Sequence, residues 1–289
     1  MKNTSLSITA LSEETGVNPV TLRAWERRYG LLHPSRSEQG YRQYSPDCVA
    51  RVRSILDWVE KGVAISRVRD LIDQGSLPAN DELDEQAPLL AALEQGQWRR
   101  AERCLDEWLH LYPAAQVVTR LLMPAMDTLL HSQRPGDVSR AILLRTLITQ
   151  KCQARLLSAL PTRRQPGVLL VALEPHSLSA LYLALLLRER GQACVLVHAP
   201  VPPADYALLS AAETVSALVL VVPPSLSATG LRRATAGSLS RIEKPVCVVG
   251  ESLPSTRALP EHVRAGEGDL VALAEFVVTT LAVTAGASA

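Results

Sequence analysis

The sequence has none of the long apolar runs or paired cysteines that are typical of membrane or disulfide-stabilised proteins. No stretch approaches the roughly 18 apolar residues needed to span a bilayer, and residues 1–10 contain no apolar core of a signal segment. The five cysteines are scattered, with no CxxC pair and no Cys/His cluster. This pattern predicts reduced core residues rather than a disulfide, a metal site or a redox switch. We therefore expect a cytoplasmic protein.

Motifs of the common catalytic sites are also missing. The sequence contains no GxSxG, GxxxxGKS/T or HExxH motif, and no GxGxxG follows an apolar run. The segment Gly266-Glu267-Gly268-Asp269 has a single GxG, which most simply caps the helix that follows it. The sequence thus predicts that the chain is not an enzyme.

Length and composition predict a globular protein of two or three domains. The 289 residues are 47% hydrophobic and 20% charged, with a net charge of +1, which excludes a disordered chain. Changes in composition predict an arginine-rich head at residues 1–76, a proline-bearing acidic linker at 77–86, a helical bundle at 87–160 and an α/β domain at 166–283.

The bundle prediction is based on apolar residues at helical spacing. The helices are expected to break near Tyr112-Pro113 and near Arg134-Pro135-Gly136. Trp58, Trp98 and Trp108 are large apolar residues at helical spacing, so we expect them to anchor the core.

The α/β prediction is based on short continuous apolar runs that alternate with amphipathic stretches. The predicted strands are Val168–Leu173, Ala193–Val197, Ala217–Val222 and Val246–Val249. The predicted helices are Leu178–Glu189, Tyr206–Ala212, Leu231–Ser240 and Leu270–Leu281. Such alternation is typical of a doubly wound parallel sheet, whose ligands bind at the carboxyl ends of the strands.

The head has the spacing of a winged helix-turn-helix. A helix is predicted over Ser7–Thr15, a turn over Gly16–Asn18 and a second helix over Pro19–Tyr29, with Asn18 as its cap and Pro19 at its first position. A basic and aromatic hairpin follows the second helix and is interpreted as a wing.

The local charge of the head favours binding to double-stranded DNA. Between residues 19 and 53, seven arginines stand against three acidic residues, a net charge of +4. Arginine favours bidentate contacts with phosphates and guanine edges. The predicted DNA-contact residues are Asn18, Thr21, Arg23, Trp25, Arg27, Arg28, Tyr29, Arg36, Tyr41, Arg42 and Tyr44.

The stretch TLRAWERRYGLL at residues 21–32, with the later Pro34, Arg36, Gly40 and Arg42, resembles the DNA-binding domain of the MerR family of bacterial regulators. The resemblance covers roughly residues 6–75 and includes predicted helices at Pro46–Lys61 and Ile65–Ile72. It implies a transcriptional regulator that acts as a homodimer on pseudo-palindromic promoter sites, with RNA polymerase as a further partner that the family relationship leaves open. It implies no membrane partner, and a location with the DNA of the nucleoid.

The α/β domain is similar to that of the cobalamin-binding photoreceptor repressors of the CarH and LitR type, which have a flavodoxin-like sheet behind a MerR head. Their motif E/D-x-H-x-x-G supplies a cobalt ligand from its histidine, and here Glu174 and His176 match while Ser179 replaces the glycine. Glu174 is expected to orient the His176 imidazole. The resemblance implies an adenosylcobalamin-dependent light-sensing repressor with His176 as metal ligand, whereas a cobalamin-dependent enzyme module has no other catalytic residues to support it.

Ser179 is the first of three departures from the cobalamin-binding pattern, and together they favour a different sensor. Residues 123–147 contain no tryptophan and no Glu-His pair, and a glycine pair expected after a late strand is Gly250-Glu251. The segment Trp108–Ala114 resembles instead the MlrA group of MerR-type activators, which keep the domain architecture without its ligand motif. No cofactor is then implied, and the C-terminal half is a sensor or interaction domain. Cobalamin stays the open alternative.

Overall fold

The structure is a computed structural model that describes residues 5–37, 39–61, 63–74, 85–157, 160–235, 237–256 and 259–286. The chain contacts divide it into two compact units, the first at Met1–Leu144 and the second at Arg145–Ala289. Residues 77–84 of the predicted linker lie outside the described residues. The four-part domain assignment therefore stays a prediction.

The head consists of four helices and a two-stranded wing. The helices are α1 (Ile8–Thr15), α2 (Pro19–Ala24), α3 (Asp47–Glu60) and α4 (Ile65–Gln74), and α2 continues as a π-helical turn at Trp25–Tyr29. The wing pairs β1 (Ser35–Arg36) with β2 (Arg42–Gln43) in antiparallel register. This is the helix-turn-helix with wing that the sequence predicts.

The middle of the chain is helical, as predicted. It contains α5 (Ala87–Glu94), α6 (Trp98–Leu111), α7 (Ala114–Gln116), a π-helical segment at Val117–Leu122, α8 (Met123–His131) and α9 (Asp137–Leu157). The predicted breaks are confirmed, since α6 ends just before Tyr112-Pro113 and α9 begins after Arg134-Pro135-Gly136.

The second unit is a parallel five-stranded sheet in the order β4-β3-β5-β6-β7. Its strands are β3 (Gly167–Ala172), β4 (Cys194–Val197), β5 (Val215–Val221), β6 (Val246–Gly250) and β7 (Val263–Glu267). Its helices are α10 (Leu178–Glu189), α11 (Tyr206–Ser210), α12 (Ala228–Thr235) and α13 (Leu270–Gly286), with 3-10 turns at Pro203–Asp205 and Leu239–Arg241. The order reverses between β3 and β5, which makes their carboxyl ends the switch point of the sheet.

Two secondary-structure predictions for the second unit were wrong. The predicted helix Leu231–Ser240 is shorter, because α12 ends at Thr235 and a separate 3-10 turn follows. The edge strand β7 was not predicted, since three of its five residues are exposed and its sequence has no continuous apolar run. The predicted cap before α13 is confirmed, because the Asp269 carboxylate accepts hydrogen bonds from the amides of Val271 and Ala272 at 2.9 Å.

The tryptophan predictions have a mixed outcome. Trp108 is buried as expected and Trp58 is half-buried, but Trp98 is 48% exposed at the first position of α6. The prediction that Trp98 anchors the core is wrong, because the face of α6 that carries it lies against solvent. Among the described residues, no helix is both long enough and apolar enough to cross a membrane.

Leu170 tests the core of the sheet. Its side chain on β3 is fully buried, so Leu170→Ala should lower the free energy of unfolding by about 2 to 5 kcal/mol. Leu208 is 74% exposed on α11, so Leu208→Ala should change it by at most about 0.5 kcal/mol. Urea denaturation of the full chain, followed by circular dichroism, measures both. Equal midpoints for the two variants would contradict the described burial.

Candidate nucleic-acid interface and sheet-edge site

The recognition helix, residues 19–29, begins with the capping geometry that the sequence predicts. The Asn18 side chain accepts a hydrogen bond from the Val20 amide at 2.8 Å, and Pro19 occupies the first turn. The helix ends at Gly30, whose φ of 58° is left-handed, a conformation that glycine adopts without strain. Asn18 thus has a structural role at the start of this helix.

One side of the recognition helix presents arginines to solvent. Arg23 and Arg27 are exposed four residues apart, and Arg28 is exposed beside them. On the wing, Arg36 is exposed and Tyr41 is 72% exposed. The first unit therefore carries a basic surface on two adjacent elements, with a charge that suits the phosphates of a nucleic acid.

Glu26 connects the recognition helix to the wing. Its carboxylate accepts hydrogen bonds from the Arg42 guanidinium Nε at 2.7 and 3.1 Å and from the Tyr44 hydroxyl at 3.5 Å. The hydrogen bond between Arg42 and Glu26 raises the pKa of Arg42. Burial and the Glu26 charge raise the pKa of Tyr44 to about 12. Arg42 is thereby held in place, so the wing and the helix form one surface.

Three of the predicted DNA-contact residues are not on that surface. The side chains of Thr21, Trp25 and Tyr44 are buried. Helical spacing alone places Thr21 near Arg23, but in the structure Thr21 points into the core of the head. The assignment of these three residues to DNA contact is corrected here, because a buried side chain cannot reach a groove. Tyr29 is half-buried.

Trp25 joins the recognition helix to the bundle. Its indole N–H donates a hydrogen bond of 2.7 Å to the carbonyl oxygen of Leu111, the last residue of α6. The α6 helix ends there because Pro113 forces Tyr112 into extended backbone and has no amide hydrogen to donate. Helix-terminal carbonyls have no intrahelical donor. Trp25 therefore supplies the missing donor for α6.

The residues around Leu111 make further contacts with the head. The Tyr112 hydroxyl accepts a hydrogen bond of 3.3 Å from the Ile65 amide at the start of α4, and the Tyr112 ring stacks on Trp108 at 4.2 Å between centroids. Burial, with a contribution from Glu107, raises the pKa of Tyr29. The segment 107–112 is thus packed against the inner side of the recognition helix, and it contains the Trp108 motif that the sequence singles out.

A second link joins α3 to the π-helical segment after α7. The Arg120 guanidinium donates to the carbonyl of Val59 and pairs with Glu85 at 2.8 Å.

Arg28 on the recognition helix lies 4.0 Å from the Glu107 carboxylate. Both members of the Arg28–Glu107 pair are more than half exposed, so this pair contributes little to stability.

In the second unit, His176 lies at the carboxyl end of β3, at the switch point of the sheet. Its backbone φ of 56° is the only left-handed value among the described non-glycine residues. Its amide donates to the His198 carbonyl at 2.8 Å, and its carbonyl accepts from Arg145 at 3.1 Å. The loop is held by its backbone, while the imidazole is exposed. Glu174 was expected to orient the His176 imidazole, but among the described residues no hydrogen bond joins these two side chains.

His198 is the second histidine at this edge. The Gln153 side-chain amide forms a hydrogen bond of 2.8 Å with its Nε2. Burial lowers the pKa of His198, and the charge of His176 contributes. The residue after His176, Ser177, caps the N-terminus of α10, where its hydroxyl accepts from the Ala180 amide at 3.3 Å.

The fit of this edge to cobalamin is partial. The exposed His176 imidazole is a suitable cobalt donor, but Ser179 is half-buried in the first turn of α10, where the related motif has glycine. Two cavities, of about 690 and 480 Å³, are lined in part by α13. The larger is lined by Pro166, Pro245 and His262, which directly precede β3, β6 and β7, and by Ser216 near the start of β5, so it lies at the amino ends of the strands. Neither of these two cavities is lined by His176, and we derive no step through this group.

Metal-binding groups and reactive cysteines are two further kinds of site that the described residues could contain. Within the described ranges, no three His, Cys, Asp or Glu side chains are grouped so that they could hold a metal ion. The five cysteines are unpaired thiols, of which Cys104 is half-buried and the rest are buried. Burial raises the pKa of Cys152 to about 12 and that of Cys104 to about 11, which makes them poor nucleophiles at neutral pH.

The head is similar to a family of known proteins. Residues 6–75 match the family described as MerR HTH family regulatory protein. The HTH-type transcriptional regulator MlrA of Escherichia coli (strain K12) is 36% identical over 133 residues, which cover 46% of this chain and 55% of that protein. The chain spans about half the length of this relative and of two Salmonella typhimurium relatives of the same name.

A longer match and two solved structures complete the comparison. The HTH-type transcriptional repressor CarH of Myxococcus xanthus is 29% identical over 282 residues, covering 91% of this chain and 89% of that protein. A structural match to the methanol:cobalamin methyltransferase complex MtaBC of Methanosarcina barkeri has 13% sequence identity and a TM-score of 0.35. This match covers 78% of this chain and 92% of the matched chain. The monomethylamine corrinoid protein of the same organism (14%, TM-score 0.43) covers 66% and 94%. TM-scores this low carry no functional argument.

The contact between Trp25 and Leu111 is open to a direct test. Trp25→Phe keeps a buried aromatic ring but removes the indole N–H, which leaves the Leu111 carbonyl without its donor. We expect a loss of about 1 to 3 kcal/mol in the free energy of unfolding from that unsatisfied group. Urea denaturation followed by the remaining tryptophan fluorescence measures it. Trp98→Phe, at an exposed position, is the matched control, and an equal effect of the two substitutions would rule out the anchoring role.

Proposed function

We propose that this chain is a sequence-specific DNA-binding transcriptional regulator of the MerR type. The observation that carries the proposal is the exposed arginine surface on the recognition helix and wing, within residues 6–75 that match the MerR family model. The names of the relatives, a transcriptional regulator and a transcriptional repressor, support the same class. The proposal assigns no catalytic step to the chain.

The recognition helix and the wing have different roles in this proposal. Arg23 and Arg27 lie on the exposed face of the helix, so they enter the major groove and read base edges through bidentate hydrogen bonds. Arg36 and Tyr41 on the wing, together with Arg28, contact the phosphate backbone and set the register of the head. Glu26 keeps Arg42 aligned with the recognition helix, so that the wing meets the phosphate backbone of the DNA at a fixed angle.

A homodimer on a two-fold site follows from the same proposal. A pseudo-palindromic operator requires two heads related by a two-fold axis, at a spacing that matches the half-sites. The protein would act on promoter DNA in the cytoplasm, together with RNA polymerase where it activates. The second unit serves as a sensor or interaction domain, which controls the heads without reading sequence itself.

Adenosylcobalamin-dependent repression is the alternative function. His176 supports it, because an exposed imidazole at the switch point of a parallel sheet is where the fold places ligand contacts. Bound cobalamin would supply a light-sensitive cobalt–carbon bond. His176 would provide a neutral imidazole lone pair, with Arg145 holding its backbone carbonyl.

Base reading by Arg23 predicts a loss of specificity. Arg23→Ala should weaken binding to a selected operator by about 1 to 3 kcal/mol while leaving binding to random duplexes nearly unchanged. Arg36→Ala, on the wing, should weaken both equally. Fluorescence anisotropy at fixed salt, with an operator obtained by in vitro selection, measures both. Equal affinity of the wild-type chain for selected and random DNA would refute a sequence-specific regulator.

Cobalamin binding is tested in the dark. If His176 ligates cobalt, the wild-type chain should bind adenosylcobalamin with micromolar or tighter affinity, and His176→Ala should abolish that binding while the fold persists. Isothermal titration and the visible absorption spectrum give the result. His198→Ala is the matched control. It removes the other imidazole at this edge and should leave the binding of adenosylcobalamin in place. No heat and no bound chromophore would exclude the alternative and leave a sensor of different chemistry.

A further inference from the structure

The N-terminal half of α6 carries an exposed basic cluster that the head does not explain. Arg99, Arg100 and Arg103 are exposed, and Trp98 beside them is 48% exposed. The hydrogen bonds of these arginines go to the Gln97 side chain and the Arg99 carbonyl. In the part of the chain that the structure describes, no carboxylate forms an ion pair with any of the three.

The position of these charges opposes the stability of the helix that carries them. The N-terminus of a helix has a partial positive charge, which favours acidic side chains and disfavours cations. The first turn of α6 has no acidic residue. Trp98 is half in solvent next to these three guanidinium groups, while the acidic residues of α6, Glu102, Asp106 and Glu107, follow farther along the helix. The composition fits a surface that contacts a polyanion.

The cluster is continuous with the DNA-reading surface. Arg99, Arg103 and Glu107 are spaced four residues apart, so they lie on one side of α6. The Glu107 carboxylate is 4.0 Å from Arg28 of the recognition helix. At 1.5 Å per residue, Arg103 lies about 6 Å and Arg99 about 12 Å along α6 from that contact. The row therefore extends the arginines of the head by about three to four base-pair steps of DNA.

We propose that Trp98, Arg99, Arg100 and Arg103 form a second DNA-contact surface, which binds the phosphate backbone flanking the site that the head reads. Charge complementarity and continuity with the recognition helix identify the occupant as double-stranded DNA. The arginines neutralise phosphates, and the Trp98 ring packs against the sugar edge. The contact carries no base information, so it increases affinity without changing sequence preference. This inference rests on the proposed DNA-binding function.

The number of released counterions tests the proposal. Each neutralised phosphate adds about 0.9 to the slope of log Kd against log salt. With the full chain and a fluorescein-labelled 40-bp duplex of random sequence, the triple variant Arg99→Gln, Arg100→Gln, Arg103→Gln should lower that slope by about 2 to 3 and weaken binding at least about tenfold at 0.1 M salt. Trp98→Ala should weaken binding without changing the slope.

A charge-matched control separates a local contact from a change in net charge. Arg164→Gln, Arg232→Gln, Arg233→Gln removes three exposed arginines of the second unit and should leave the slope as in the wild type. A circular dichroism melt verifies that both triple variants fold. An unchanged slope in the α6 variant, or an equal decrease in the control, overturns the inference and indicates a different partner for this surface. No salt-dependent binding by the wild-type chain overturns the proposed function as well.

Discussion

The organisation of the first unit depends on one buried hydrogen bond, from the Trp25 indole to the Leu111 carbonyl. A recognition helix must present its arginines at a fixed angle, and a helix of eleven residues has too few contacts of its own to hold that angle. Trp25 fastens its inner side to the end of α6, while Glu26 fastens it to the wing. The exposed arginines are thus oriented by two side chains that face other parts of the first unit, and a shift of α6 would move the arginine surface with it.

Much of the first unit could be predicted from local sequence, because many of its helix starts and breaks have local determinants. The Asn18 cap, the Pro19 start and the break at Tyr112-Pro113 depend on neighbours within a few residues, and each is present in the structure. The burial of Trp25 could not be predicted, since its partner is 86 positions away and helical periodicity does not distinguish a groove-facing tryptophan from one that faces another helix. Trp98 is the converse case, in which helical spacing predicted a core residue and the structure places it in solvent.

In the second unit, buried strands were predictable and the site was not. Continuous apolar runs identify β3, β5 and β6 because both faces of a parallel sheet are covered. The edge strand β7 lacks that signal, since solvent covers part of it. The sequence placed His176 in the correct loop. Its left-handed backbone and its bonds to Arg145 and His198 arise from elements that meet only in the folded sheet.

The separation between Trp25 and Leu111 also bears on how the chain is made. The recognition helix leaves the ribosome well before its anchor, and at 5 to 20 residues per second the 86 intervening positions take about 4 to 17 s. During that interval the indole N–H has no acceptor from α6, so the arginine surface exists on a loosely held helix. The angle of the recognition helix is therefore fixed only after α6 has been synthesised and has folded against it.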